Sequence, residues 1–373
     1  MISWTPDERR ERAAYLALAF TPGLGTARFA LLQQACDSPL GALSAPFAFL
    51  RSIPGITKAA ATAVRAADPA AGERMLADAE RMGAVTLLPH DPGFPAALRE
   101  IPDPPLALFV LGDASLLGRP SIAVVGSRDH TPYGVAACRL VVQAAVQGGA
   151  VVVSGMARGI DAVAHAAALD AGGTTVGVLG NGLGVIYPAA NRALYERVGR
   201  EGALVSEYPP GERPRVFAFP RRNRLISGLA RATVVVEAAQ GSGALITVGA
   251  ALEQGRDVLG VPGPITAPTS VGVNGLIRDG AAPFLTAEDL ERFLPSPPAR
   301  SVASTAAASM LPADLPAGER RVAEALMAGE VDADQLAGRL GLAASDTLAL
   351  VTALELRGLV QPLPGARFRL RVP

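Results

Sequence analysis

The feature that most constrains this chain is a pattern repeated between about Ala84 and Phe293: a short β-branched run, a close of small residues, then a helical stretch. The runs are Ile122–Val125, Val151–Val153, Thr175–Leu179, Leu204–Val205, Thr233–Val236 and Val258–Val261. They are nearly continuous in apolar residues instead of alternating, which suits strands covered on both faces. Strands that alternate with helices predict an α/β domain built on a doubly wound parallel sheet.

In such a sheet every βα turn lies at one edge, outside the carboxyl ends of the strands, where ligands bind. Val125 is followed by Gly126-Ser127-Arg128, Val153 by Ser154-Gly155, Leu179 by Gly180-Asn181-Gly182, and Val236 leads to Gly241-Ser242-Gly243. Small residues let the backbone approach a ligand, and a following helix offers unpaired N–H groups and a positive dipole end. Several such turns in a row suit several phosphates. A dinucleotide is disfavoured: the first turn is not GxGxxG, and the second strand ends in Ser154-Gly155 where an acidic residue would grip a ribose.

Formal net charge is zero, so any polyanion site must be a local patch. Lys58 is the only lysine among 34 lysines and arginines, so arginine in place of lysine carries little information and only clustering counts. Between Arg213 and Arg231 the chain carries Arg213, Arg215, Arg221, Arg222, Arg224 and Arg231 and no acid, with Phe217 and Phe219 interleaved. Arginine binds phosphate bidentately and aromatic faces stack unpaired bases, the combination of a single-strand groove. The alternative is that the phenylalanines are core residues and some arginines pair with Glu207, Glu212 or Glu237.

No catalytic constellation accompanies these turns. Asp161 and His165 lie one helical turn apart without a third ligand or nucleophile, and read as a cap and an interior histidine. There is no Walker lysine, GxSxG or HExxH, and no base is identifiable for Ser154. No metal or cofactor is expected. Cys36 and Cys138 are far apart and form no disulfide framework or zinc spacing. No apolar run reaches the roughly 20 residues a membrane helix needs, and the first residues lack a signal-peptide pattern, so a cytoplasmic protein is expected.

Taken together, the stretches at Pro92–Asp113, Val124–Gly134, Ser154–Leu169, Gly180–Leu194, Ser206–Gly211, Phe219–Ala230, Val234–Gly263 and Gly272–Ala281 resemble the DprA (Smf) family of DNA-processing proteins. The resemblance implies a Rossmann-like domain that binds single-stranded DNA, protects it and loads a RecA-type recombinase during natural transformation. It implies no enzymatic activity and a homodimer. DNA-contacting residues would fall on Gly126, Ser127 and Arg128, on Ser154, Gly155, Arg158 and Gly159, and on Phe219, Arg221, Arg222, Asn223 and Arg224. A groove lysine of relatives would be replaced by Arg213 or Arg215, and Ser242 and Gly243 complete the expected edge. A dimer interface is expected around Leu276, Ile277 and Phe284. Two competing readings are a nucleoside monophosphate phosphoribohydrolase-like enzyme, whose loop Gly241–Thr247 with Glu253 faintly echoes, and a protein-interaction module.

Residues 1–83 read as helices resembling a SAM-like or helix-hairpin-helix domain, with a hairpin at Ile53-Pro54-Gly55-Ile56-Thr57 and Lys58 available to a DNA backbone. Residues 84–293 hold the α/β domain, 294–316 a Pro/Ser/Ala linker, and 317–373 a winged-helix-like domain. In the last, Gln335–Arg357 reads as helix–turn–helix and Pro364-Gly365 as the tip of a short wing. Its second helix offers Asp346 and Glu355 where a duplex reader needs Arg, Lys, Asn or Gln, so it is not expected to read bases.

Overall fold

A computed structural model describes residues 4–294, 315–326, 331–363 and 367–370. The chain forms two compact units, Met1–Ser296 and Pro297–Pro373. The linker expected at 294–316 and the wing tip at Pro364-Gly365 lie outside the described residues, apart from Leu294 and the two residues before the first C-terminal helix.

The first unit is organised by a nine-stranded sheet: β1 (Val85–Leu87), β2 (Leu108–Gly112), β3 (Ser121–Val125), β4 (Val151–Ser154), β5 (Thr175–Leu179), β6 (Ala203–Ser206), β7 (Ala232–Val235), β8 (Asp257–Gly260) and β9 (Ala282–Pro283). Its order is β1-β2-β6-β5-β4-β3-β7-β8-β9, with β3 through β9 mutually parallel. The six expected strands are present within a residue or so at each end. β1 and β2 were not expected. They extend the sheet antiparallel, β2 on β6 and β1 on β2, and their short runs lack the strand–turn–helix rhythm of the others.

From β3 the chain moves outward through β4, β5 and β6, then returns to place β7 on the other side of β3. The helices Pro132–Gln147 and Ile160–Asp170 pack on one face through Val141, Val142, Ile160 and Ala164. The helices Ala218–Leu229 and Gly243–Glu253 cover the opposite face through Leu225, Ile226, Val248 and Ala251. Reversal of winding at β3 opens the crevice that doubly wound sheets use for ligands.

Six helices precede β1. Thr5 starts the first of them, Pro6–Ala19, with a reciprocal capping box to Glu8, worth about 1 kcal/mol. That helix crosses Pro69–Arg81 so closely that a Cβ on Gly72 would stand 1.8 Å from the Ala13 carbonyl oxygen, so only glycine fits there. The helices and the sheet share one apolar core, which runs from Leu16, Phe29 and Leu50 to Phe109, Leu179 and Leu204. Across residue 83 the core is therefore continuous.

The second unit contains helices Ala317–Leu326, Ala333–Leu340 and Ala344–Leu356 and a three-stranded antiparallel sheet of Val331–Asp332, Val360–Leu363 and Arg367–Leu370. Gly341 ends the middle helix in the left-handed conformation (φ 65°), as the helix–turn–helix reading requires. Val322, Leu336, Val351, Leu354 and Phe368 form its own core.

Candidate nucleic-acid interface

The carboxyl edge of the parallel sheet carries a cleft lined by Arg128, the turn Gly155–Arg158, Leu179–Asn181, Tyr187, Pro188, Phe219 and Arg222. Gly126, Ser127 and Arg128 follow β3, and the turn after β4 is pressed against them. Gly159 adopts φ 82°, and a Cβ there would lie 2.2 Å from the Ser127 carbonyl oxygen, so the two turns meet because residue 159 is glycine. That carbonyl accepts the Ile160 N–H at 3.0 Å.

The turn after β4 does not present the open amide cradle that its composition suggests. The Gly155 and Ala157 N–H groups donate to Asp161 Oδ2 at 3.1 and 3.4 Å, and Met156 N–H donates to His165 Nε2 at 3.4 Å. Ser154 is fully buried and its hydroxyl donates to the Val124 carbonyl at 2.6 Å, latching β4 to β3. Side chains, more than backbone, therefore face the cleft at this turn.

Beneath the cleft sits a buried polar node. Arg222, 4% exposed, donates from Nη1 to the carbonyls of Gly155, at 2.7 Å, and Val178, so it ties the turn after β4 to the end of β5. Its Nε reaches Asn223 Oδ1 at 3.2 Å. Burial lowers the Arg222 guanidinium to about 10, with Asp161 opposing the shift and Arg128 adding to it, so Arg222 stays charged at neutral pH. Burial also raises the Asp161 carboxyl above its ordinary range, against the pull of Arg222 and the turn amides. His165 is pushed down to about 3 by burial and then by Arg222; it is neutral, with Nδ1 2.7 Å from Thr175 Oγ1.

The arginine stretch thus divides into three groups. Arg222 and Arg224 face inward: Arg224 holds the buried Glu207 bidentately at 2.8 and 2.6 Å and reaches Asp103 at 3.1 Å. Arg213, Arg215 and Arg221 face outward. Arg215 and Arg221 are half-exposed or more and stand 3.5 and 3.8 Å from Glu212 and Asp103, while Arg213 is exposed and carries no ion pair among the described residues. Arg231 lies at the opposite edge, just before β7, where it meets the Phe293 and Leu294 carbonyls. The inward position of Arg222 was legible: it falls three, four and seven residues before Leu225, Ile226 and Leu229, on the buried stripe of its helix. Asp103, distant in sequence, had no such signal.

Outward charge at the cleft comes from Arg128, which is exposed, and from Arg158, which is 61% exposed and 3.6 Å from the open Asp129. Surface pairs of this kind contribute about 0–1 kcal/mol and yield readily to a polyanion. Phe219 seats over Gly180, where a Cβ would come within 2.6 Å of its ring, and its outer face pairs with Tyr187 at 5.2 Å between centroids and 32° between planes. Tyr187, which lines the cleft, is 51% exposed, and Phe217, two residues before Phe219, is 61% exposed. Sequence reasoning did not single out Tyr187, because nothing in the spacing brings it to Phe219. Asn223 also reaches the Gly243 carbonyl at 3.5 Å, and Ser242 caps the helix Gly243–Glu253, which completes the edge on the β7 side.

The enclosed part of the cleft is only about 60 Å³. Small-molecule sites occupy roughly 300–1,000 Å³, several times this volume. Glu253 is exposed at the far end of the eleven-residue helix that starts at Gly243, about 15 Å from the loop it would serve in a phosphoribohydrolase.

Of the expected interface residues, Leu276 and Ile277 are half-buried against Val258 and Val273, and Phe284 is 7% exposed among Val261, Leu290 and Phe293. Their apolar surface is largely used within the chain, whereas Leu252, Ile265, Val271 and Leu285 are exposed. Among the described residues no group could hold a metal ion, and no helix is long and apolar enough to cross a membrane.

Residues 85–295 match the DNA recombination-mediator protein A family, and residues 306–366 match the DprA winged helix domain. The chain is 45% identical over 200 residues to the DNA processing protein DprA of Streptococcus pneumoniae, covering 54% of this chain and 71% of that protein. It is 41% identical over 298 residues to Protein Smf of Escherichia coli, covering 76% and 77%. The X-ray structure of the S. pneumoniae DprA superposes with a TM-score of 0.64 at 31% identity, over 79% of this chain and all of that one. A Helicobacter pylori DprA, whose structure concerns its single-stranded DNA binding mode, gives 0.51 at 28% identity, over 56% and 94%.

Proposed function

Because this chain belongs to the DprA/Smf family of DNA recombination mediators, we propose that it binds single-stranded DNA along the carboxyl edge of its sheet, protects the strand and delivers it to a RecA-type recombinase during natural transformation. It does so as a homodimer, without catalysing a reaction on the DNA. The observation that carries this reading is the groove itself, where the exposed Arg128 and Arg158 flank the Tyr187–Phe219 ring pair. Arginines take phosphates and rings take unpaired bases, a combination that a duplex with stacked bases cannot use.

The strand would run from Gly126, Ser127 and Arg128, across Gly155, Arg158 and Gly159, to Phe219 and Arg221, with Arg213 and Arg215 beyond. Asn223, Ser242 and Gly243 would form the far wall. Ser154, Arg222 and Arg224 act one layer below, as supports that fix the turns. Asp161 and His165, beneath the groove, are buried and bonded to the chain, which favours binding over acid–base chemistry.

The test is anisotropy of a labelled oligothymidine and its duplex across a salt series. About four arginine–phosphate contacts give a slope of log affinity against log salt near −3 for the single strand, at roughly −0.7 per contact. A flat dependence, or equal affinity for duplex, would overturn the groove. Recombinase delivery is checked separately, by the ability of a RecA-type protein to form filaments on a strand coated with single-strand-binding protein. No gain on adding this protein would remove that part of the reading.

A further inference from the structure

The opposite edge of the same sheet, where the parallel strands begin, carries a second and larger cleft of about 830 Å³. Arg119, Arg231 and Arg256 line it, and each stands immediately before one of three hydrogen-bonded neighbours: Arg119 two residues before β3, Arg231 one before β7, Arg256 one before β8. Register puts Ala232 opposite Ile122 on one side and Asp257 on the other, so Arg231 and Arg256 stand level on adjacent strands. Arg99 joins them from the short helix Ala96–Arg99.

Like charges at the same level on neighbouring strands repel. Among the described residues, none of the four arginines has a carboxylate partner. Arg99 donates to the Pro89 and Asp91 carbonyls, Arg119 to that of Gly149, and Arg231 to those of Phe293 and Leu294. Arg256 Nε is buried without a hydrogen-bond partner among the described residues. Glu100 is the only acid lining the cleft, and it is exposed. A concave row of uncompensated guanidinium groups is arranged for an anion supplied from outside.

The floor indicates which anion. It is apolar, from Leu117 and Leu229 with Pro92 and Pro95, and Phe94 is 2% exposed, so no ring stands free to stack a base. The row spans two strand spacings, about 10 Å, while acids at alternate positions of an extended peptide stand about 7 Å apart. We propose that this cleft binds an extended acidic segment of a partner protein, with carboxylates on the arginine row and intervening aliphatic side chains on the floor. The site is independent of the DNA groove and lies across the sheet from it.

The test uses the full chain and a fluorescein-labelled decapeptide of alternating aspartate and leucine, with a lysine-for-aspartate peptide as control. The wild type binds the acidic peptide in a salt-sensitive manner and ignores the basic one. Arg119→Glu together with Arg231→Glu weakens the acidic peptide by about tenfold or more, while affinity for oligothymidine stays unchanged. Arg231→Gln, a milder change, weakens the peptide by about threefold and melts as the wild type does. Failure of the wild type to bind the peptide, or binding unaffected by both variants, would overturn the proposal. So would a loss of oligothymidine affinity in either variant with unchanged melting, which would assign the cleft to nucleic acid.

Discussion

The central groove and the second helix of the C-terminal domain both have shapes that nucleic acid commonly meets, and they differ in what they present. The groove shows Arg128 and Arg158 beside Tyr187 and Phe219, above a buried node that fixes their turns. The helix Ala344–Leu356 shows Asp346 and Glu355 and no basic or amide side chain, and Arg357 just beyond it is paired with Glu319 at 2.8 Å. A helix–turn–helix scaffold without readers carries no sequence code, whereas a doubly wound sheet acquires a polyanion site when its βα turns are armed. Charge and ring placement, not scaffold, separate the two regions.

The difference rests first on the buried support. Arg222→Ala leaves the Gly155 and Val178 carbonyls without their donor and removes the cation near the buried Asp161, and is expected to cost about 3–5 kcal/mol. Denaturant unfolding checks this, and a stability equal to the wild type would show that the groove does not depend on the node. Arg221→Ala, its neighbour in sequence, breaks only a 3.8 Å surface pair and costs at most about 1 kcal/mol by the same measurement.

Ring truncation sharpens the comparison on the binding side. Phe219→Ala or Tyr187→Ala removes a stacking face, worth about 1–3 kcal/mol of strand affinity per base, or roughly fivefold to a hundredfold. Oligothymidine titration reads it, and unchanged affinity would reduce the pair to packing. The smallest effect is expected from the other region: deleting residues 315–373 leaves single-strand affinity within about several-fold, because its second helix adds no phosphate contact. A loss of about a thousandfold would place the main strand contacts in the C-terminal domain.

Much of the sheet was legible because β3 to β7 are buried throughout and therefore read as nearly unbroken apolar runs. β2, equally apolar, is followed only by the short 3-10 helix Ala114–Gly118, which does not complete the pattern, and β1 and β9 are too short to register. The small residues closing β4 and β5 line the cleft at the edge where the sequence placed the βα turns. What the sequence left open was the direction of each arginine. Arg221, Arg222 and Arg224 lie within one helical turn, where each step rotates about 100°, so a single basic run splits between solvent, floor and the Glu207 pair. Tyr187 and Asp103 reach the site only through the tertiary path.

Anisotropy of labelled oligothymidine with the wild type and the Arg128→Ala/Arg158→Ala variant reads whether a single strand lies on the exposed arginines of the groove. Both side chains are exposed and neither holds the core, so the variant should melt as the wild type does. A strand held there gives an affinity loss of about a hundredfold and a salt slope shallower by about 1.4, two contacts fewer. Unchanged affinity and slope would contradict it and move the strand off this edge of the sheet.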